Sequence, residues 1–262
     1  MSESDAILCE RRGAIGIITI NRPKTLNALN VPTLLELEST LTELERDDTV
    51  RAIVLTGAGE KAFVAGGDIA DLESRHGLAH YQEFAEIIHR VFRRFEICDK
   101  PTIGAINGWA LGGGTELLLT LDIRLVAEEA RLGLPEITLG LFPGAGGSQR
   151  IIRQIPLCRA KELMFVGDQI SAAEAVSLGL ANRAVPREQL LDEALVLATR
   201  IAAKSPLTLK LLKRSLRDGN DMPLSAALAH EQAMIGLVLD SADAHEGCRA
   251  FLEKRKPVFN GK

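Results

Sequence analysis

Glu116 and Glu136 are the residues whose type and placement promise chemistry. They stand 136 − 116 = 20 residues apart within KPTIGAINGWALGGGTELLLTLDIRLVAEEARLGLPE, Lys100 to Glu136. Two carboxylates can divide acid and base work, one giving a proton while the other takes one. Glu116 follows Gly112, Gly113 and Gly114 and falls in the first turn of a helix-like run, Thr115 to Leu121. Glycine lets a backbone approach a ligand closely because no Cβ intervenes. A helix start carries free N–H groups and a partial positive charge. Together these make a site for a negatively charged oxygen. A plainer reading stands beside this one. Glu in a first helical turn is favoured by the dipole alone, and Glu136 after Pro135 could open an ordinary helix.

The glycine turn is not isolated. Phe63 to Leu72, FVAGGDIADL, runs from a short extended piece through Gly66-Gly67 into a helix start that Asp68 can cap. Two such turns could aim two backbone N–H groups at one oxygen. A third, Gly140 to Arg150, GLFPGAGGSQR, also leads into a helix. The sequence contains neither GxGxxG nor GxxxxGK[ST], the phosphate-binding glycine patterns.

The elements that must position these turns alternate between β and α. Ile7 to Glu10 and Ala14 to Ile20 predict a hairpin or adjacent strands. Val31 to Arg46 predicts a helix with Leu34, Leu37, Leu41 and Leu44 on one face and Pro32 in its first turn. Arg51 to Thr56, Pro101 to Ile106, Ile123 to Ala127 and Ala181 to Val185 suit strands. Helices are expected over His80 to Ile97, Ala160 to Val166, Ser171 to Leu178 and Pro186 to Ala203. Ser205-Pro206 marks a boundary. Beyond it Leu207 to Arg217, Leu224 to Leu239 and Ala242 to Lys254 all read as helices, which cannot bury their apolar faces alone. The expectation is an α/β core over residues 1–205 and a helical oligomerisation region over 206–262.

Length and composition narrow the class. A chain of 262 residues suffices for one large α/β domain, or for a domain with an appendage. A net charge of −4 without clustered Lys and Arg leaves no nucleic-acid footprint. Cys9, Cys98, Cys158 and Cys248 are far apart, so they read as reduced, mostly buried thiols of a cytosolic protein. His76, His80 and His89 lack metal-ligand spacing, and no metal is expected. The N-terminal MSESDAILCERRG reads as neither a secretory signal nor a transit peptide. No apolar run reaches the ~18 residues of a membrane span. A cytoplasmic protein without membrane or nucleic-acid partners is expected.

Five stretches in one order resemble the crotonase (enoyl-CoA hydratase/isomerase) superfamily. They are NRPKTLNALN (Asn21 to Asn30), KAFVAGGDI (Lys61 to Ile69), KPTIGAINGWALGGGTELLLTLDIR (Lys100 to Arg124), GLPEITLGLFPGAGGSQR (Gly133 to Arg150) and FLEKRKPVF (Phe251 to Phe259). The resemblance covers nearly the whole chain. It implies a spiral of ββα units with a C-terminal helical region that builds homotrimers, often stacked as hexamers. It implies that the backbone N–H groups of Gly67 and Gly113 form an oxyanion hole for the thioester oxygen of an acyl-coenzyme A. Ala65, Gly66, Asp68 and Ile69 fall in the same binding segment. Glu116 and Glu136 match the two glutamates of the hydratase branch, which share one water, and Gly144 matches the residue whose N–H helps hold that water. Lys24 and Lys254 fall where the family meets coenzyme A, and Trp109 where it borders the thioester. The residues lining the acyl pocket are expected around Leu72 to Tyr81. The implied reaction is reversible hydration of a 2-trans-enoyl-CoA, with no cofactor beyond the coenzyme A of the substrate. An enoyl-CoA isomerase of the same fold and a non-catalytic acyl-CoA- or RNA-binding relative are the alternatives.

Overall fold

The computed structural model describes residues 5–78 and 80–262. The first four residues of the N-terminal stretch discussed above, and Ala79 within Leu72 to Tyr81, lie outside them. The chain opens with β1 (Ile7–Arg12) and β2 (Ile15–Ile20), the antiparallel hairpin expected. The helix α1 (Val31–Arg46) has the predicted bounds. The side chain of Asn30 accepts from the Thr33 N–H at 3.0 Å, and Pro32 sits where its missing N–H is not needed. The face carrying Leu34, Leu37, Leu41 and Leu44 is buried.

From there the chain repeats a unit of two strands and a helical piece. The first unit is β3 (Ala52–Gly57), β4 (Ala62–Val64), α2 (Ile69–Glu73), a π-helical turn at His80–Ala85, and α3 (Glu86–Ile97). The second is β5 (Thr102–Ile106), β6 (Trp109–Leu111) and α4 (Gly113–Leu118). The third is β7 (Ile123–Ala127), β8 (Arg131–Gly133), a 3-10 turn at Pro135–Leu139, α5 (Gly147–Ile151) and α6 (Leu157–Val166). Then come β9 (Gln169–Ser171), α7 (Ala172–Ser177), β10 (Arg183–Val185) and α8 (Arg187–Ala202). In each unit the first strand joins a six-stranded sheet, ordered β1-β2-β3-β5-β7-β10, and the second joins a four-stranded sheet, ordered β4-β6-β8-β9. This is the spiral of ββα units that the resemblance implied. Among the described residues only β1–β2 and β8–β9 pair antiparallel. Strands β3 and β5 are buried along nearly their whole length, which accounts for their unbroken apolar sequences. Helix α8 packs across β2, β3, β5 and β7.

The tail is α9 (Pro206–Gly219), α10 (Leu224–Leu239) and α11 (Ala242–Leu252), and Ser205 caps α9 through the Thr208 N–H. Ion pairs tie α9 to the start of β5 and the approach to β7, Arg214 to Asp99 at 2.7 Å and Lys213 to Asp122 at 2.6 Å. Helix α10 buries none of its residues.

Three sequence readings are corrected. The helix placed at Thr115 to Leu121 instead begins at Gly113 and ends at Leu118. Gly112 takes φ 51, a left-handed value that starts the helix one glycine later, and Thr120 ends it by bonding back to the Leu117 carbonyl. The helix expected over His80 to Ile97 is present and opens with the π-helical turn that runs into α3, whereas three of the four cysteines expected to be mostly buried, Cys9, Cys158 and Cys248, are exposed. The four-stranded sheet was not foreseen, because three-residue strands carry no readable period.

Candidate active site

The small sheet explains why distant glycines meet. Strands β4 and β6 run parallel with Val64 opposite Ala110. Gly67 is three residues past Val64, and Gly113 is three past Ala110. Strand β8 runs parallel on the other side of β6, with Leu111 opposite Gly133. Glu136 is three residues past Gly133. Parallel pairing, with one bulge in β4 between Ala62 and Val64, therefore delivers Gly67, Gly113 and Glu136 to one end of one sheet. The convergence is close, since a Cβ on Gly113 would stand 3.5 Å from the amide nitrogen of Gly67.

Neighbouring backbone groups fix the first glycine turn and leave one donor over. The Ala65 N–H donates to the Leu26 carbonyl at 3.1 Å, the Leu29 N–H donates to the Gly66 carbonyl at 2.9 Å, and the Asp68 N–H donates to the Leu29 carbonyl at 2.8 Å. Neither Gly67 nor Gly113 donates its own N–H to a backbone carbonyl among the described residues. At Gly113 this follows from its place as first residue of α4, where the N–H has no intrahelical acceptor. The Asn21 to Asn30 segment holds this arrangement from below. Asn27 is fully buried and bonds the carbonyls of Ala58 and Ala62.

Glu116, only 4% exposed, comes from the first turn of α4. Its Oε1 accepts from the N–H groups of Ala145 at 2.7 Å and Gly147 at 2.8 Å. Burial pushes its carboxyl up to about 7, with the Glu136 charge adding to the rise, while the two N–H bonds and the Arg150 charge oppose it. Glu136 is the second residue of the 3-10 turn after β8. Both its oxygens are buried and accept no hydrogen bond among the described residues. Burial holds its carboxyl above the usual carboxylate range. Its Oε1 would lie 3.2 Å from a Cβ on Gly112, so the glycine there makes room for the carboxylate.

Glu116, Glu136, Gly67, Gly113 and Gly144 all line one cavity of about 540 Å³. Its remaining wall is mostly apolar, with Leu72, Phe84, Ile88, Leu141 and Phe142. Leu72 and Tyr81, the ends of the stretch expected to supply the acyl pocket, both line it, and so does His80, which the sequence had put on a solvated face. A larger cavity, about 850 Å³, lies between the core and α9 but includes neither glutamate nor either glycine.

Other expected residues fall elsewhere. The carboxylate of Asp68 caps α2 and pairs with Arg22 at 3.1 Å, so its side chain orients the binding segment and does not line the cavity. Ile69 is exposed at the start of α2, and Ala65 and Gly66 act through the backbone bonds just described. Trp109 is 41% exposed on β6 and is not part of the cavity wall. The alternation along β6 turns Ala110 into the core and Trp109 outward. Lys24 and Lys254 are exposed surface residues outside the wall. No group of His, Cys, Asp and Glu among the described residues is arranged to hold a metal. The sequence reading missed the Ala145 and Gly147 amides that hold Glu116. The glycines of GAGG were the signal available, since a Cβ on Gly147 would stand 2.5 Å from Glu116 Cγ.

A cavity with two raised carboxyls and two free amides can move protons next to an oxygen that gains charge. Proteins of this design are known. A model of the enoyl-CoA hydratase/isomerase family matches residues 10–262. The short-chain enoyl-CoA hydratase of Clostridium acetobutylicum is 41% identical over 254 residues, covering 97% of each chain. The crotonyl-CoA hydratase of Syntrophomonas wolfei is 41% identical over 256 residues, covering 98% of each. The crystal structure of an enoyl-CoA hydratase from Bacillus anthracis superposes with a TM-score of 0.95 at 38% identity, covering 98% of this chain and 100% of that one.

Proposed function

The chain belongs to the enoyl-CoA hydratase/isomerase family, with its crotonase fold, and from that premise we propose that it hydrates a 2-trans-enoyl-CoA to the 3-hydroxyacyl-CoA. The observation that carries this reading is the meeting of Glu116 and Glu136 with Gly67 and Gly113 around one cavity. The thioester oxygen sits between the Gly67 and Gly113 amides. Charge gathers on it as the enolate forms, and fixed backbone dipoles stabilise that charge without reorganising. Water lies between the carboxyls, with the Gly144 amide on the same wall. One carboxylate takes a proton from the water while its oxygen bonds to C3. The other carboxyl delivers a proton to C2, and the double bond becomes single. The raised Glu116 carboxyl, at about 7, suits this exchange because it can hold or release a proton near neutral pH, and burial shifts Glu136 in the same direction. The steps move only protons and water oxygen, so the coenzyme A of the substrate is the only cofactor the proposal uses.

The apolar wall favours a hydrocarbon acyl chain. Lys24 and Lys254, both exposed and cationic, are the proposed contacts to the coenzyme A phosphates and ribose. The unburied α10, with Leu224, Leu228, Ile235 and Leu239 exposed, supports a homotrimer or a hexamer of stacked trimers. No described helix is long and apolar enough to cross a membrane, and a cytoplasmic location is proposed. The test is hydration of crotonyl-CoA, followed by loss of the conjugated enoyl-thioester absorbance. Turnover that requires added metal or nicotinamide, or its absence on every enoyl-CoA chain length, would overturn the reading.

A further inference from the structure

Glu116 is held by main-chain groups, and those groups need an anchor of their own. The Ala145 N–H points at Glu116, and the carbonyl of the same residue accepts from Arg150 Nη1 at 3.1 Å. Arg150 in turn pairs in bidentate fashion with Glu96 on α3, Nε to Oε1 at 3.2 Å and Nη2 to Oε2 at 3.0 Å. Its side chain is 15% exposed and that of Glu96 is 29% exposed, so the pair is largely shielded from water. Gly146 has no Cβ because Arg150 occupies that space, where an added Cβ would meet the guanidinium. Helix α3 also carries Ile88 on the cavity wall. A single guanidinium thus links the helix that walls the cavity to the loop that holds Glu116.

We infer that Arg150 is a positioning residue for the proposed hydration, setting the Ala145–Gly147 amides against Glu116, and that Glu96 sets Arg150. The inference rests on the reading of Glu116 as a proton-transfer group. Arg150 touches neither Glu116 oxygen, so it acts through the loop and through its charge. A planar fork fits this task because it meets a carboxylate and a carbonyl at fixed angles, which an ammonium cannot do. The charged groups facing Glu116 are Glu136 from the 3-10 turn and Arg150 from α5. Strands β4 and β6, also packed against α4, carry none. Loss of the Arg150 charge therefore leaves Glu136 alone to act on Glu116, and Glu116 protonates at higher pH.

The test compares Arg150→Met, Arg150→Lys and Glu96→Gln with the parent on crotonyl-CoA across pH. The expected result for Arg150→Met is a kcat lower by about tenfold to a hundredfold with KM changed less than about twofold. The pH limb due to Glu116 should move upward. Arg150→Lys should restore the position of that limb but only part of kcat, and Glu96→Gln should fall between parent and Arg150→Met. A second readout needs no activity. The pH midpoint at which Glu116→Gln changes the urea unfolding midpoint should move upward in an Arg150→Met background. If Arg150→Met lowers only thermal stability and leaves kcat and both pH midpoints unchanged, the residue is a plain staple between α3 and α5 and the inference fails. A folded parent that hydrates no enoyl-CoA would defeat the proposed reaction instead. The unfolding cycle would still decide the link between Arg150 and Glu116.

Discussion

Glu116→Gln should make the protein more stable, and increasingly so as pH rises. The native carboxyl titrates at about 7 because it is buried, against an ordinary value of 4.5. A carboxyl raised in the folded state binds its proton more tightly there than in the unfolded chain. Its contribution to stability is full below pH 4.5, where both states are protonated. That contribution is lost as pH climbs through 7, where the folded protein must bury the charge. The rise from 4.5 to about 7 corresponds to about 3 kcal/mol. The Ala145 and Gly147 N–H bonds to Oε1 can persist with the Gln carbonyl, so the substitution removes the charge while keeping the shape. Urea unfolding of parent and variant at a series of pH values between about 5 and 9 gives the difference directly. The gap in favour of the variant should grow with pH and level off above the native pKa. A gap that stays constant across the range, or that shrinks as pH rises, would refute the claim that Glu116 carries a buried, raised carboxyl.

The other predictions concern the same site and the tail. Glu116→Gln and Glu136→Gln should each lose roughly a hundredfold or more in hydration of crotonyl-CoA while still binding acyl-CoA, as read by isothermal titration. Near-native turnover in either variant would reduce that residue to a helix-dipole partner. Gly67→Ala should stay active, since its Cβ would meet Leu72 Cδ1 at 3.3 Å and Phe84 Cζ at 3.7 Å, contacts that small side-chain shifts relieve. Gly113→Ala should fold but lose roughly a hundredfold in rate, because its Cβ would stand 3.5 Å from the Gly67 nitrogen, where the thioester oxygen belongs. Equal activity in the two alanine variants would contradict the placement. A chain cut after Ser205 should no longer sediment as the intact oligomer; a soluble truncation that still did so would remove the assembly role given to α9, α10 and α11.

Long periodic elements were readable in the sequence, and short ones were not. Helix α1 was legible because Pro32 and a leucine stripe agree. Helix α7 was legible because Ser171 and Glu174 form a reciprocal cap. The strands β4, β6, β8 and β9 were hidden by their length, and the register that unites Gly67, Gly113 and Glu136 was hidden with them. Glu116 and Glu136 could be named as partners, but their buried environment could not. The Ala145 and Gly147 amides that hold Glu116 leave no side-chain signature beyond the room Gly147 makes for the Glu116 side chain. The ion pair between Glu96 and Arg150 joins positions 54 residues apart, and only the packing of α3 against the third unit reveals it.

The central claim is that two backbone amides hold the thioester while two carboxyls move protons on the same ligand. A crystal structure with a bound, unreactive enoyl-thioester analogue tests it most directly. The account predicts the thioester oxygen at hydrogen-bond distance, ~2.9 Å, from the nitrogens of both Gly67 and Gly113. It also predicts the positions equivalent to C2 and C3 beside the carboxyls of Glu116 and Glu136. A thioester oxygen held instead by a side chain or a metal ion, or an acyl group lodged outside this cavity, would contradict it.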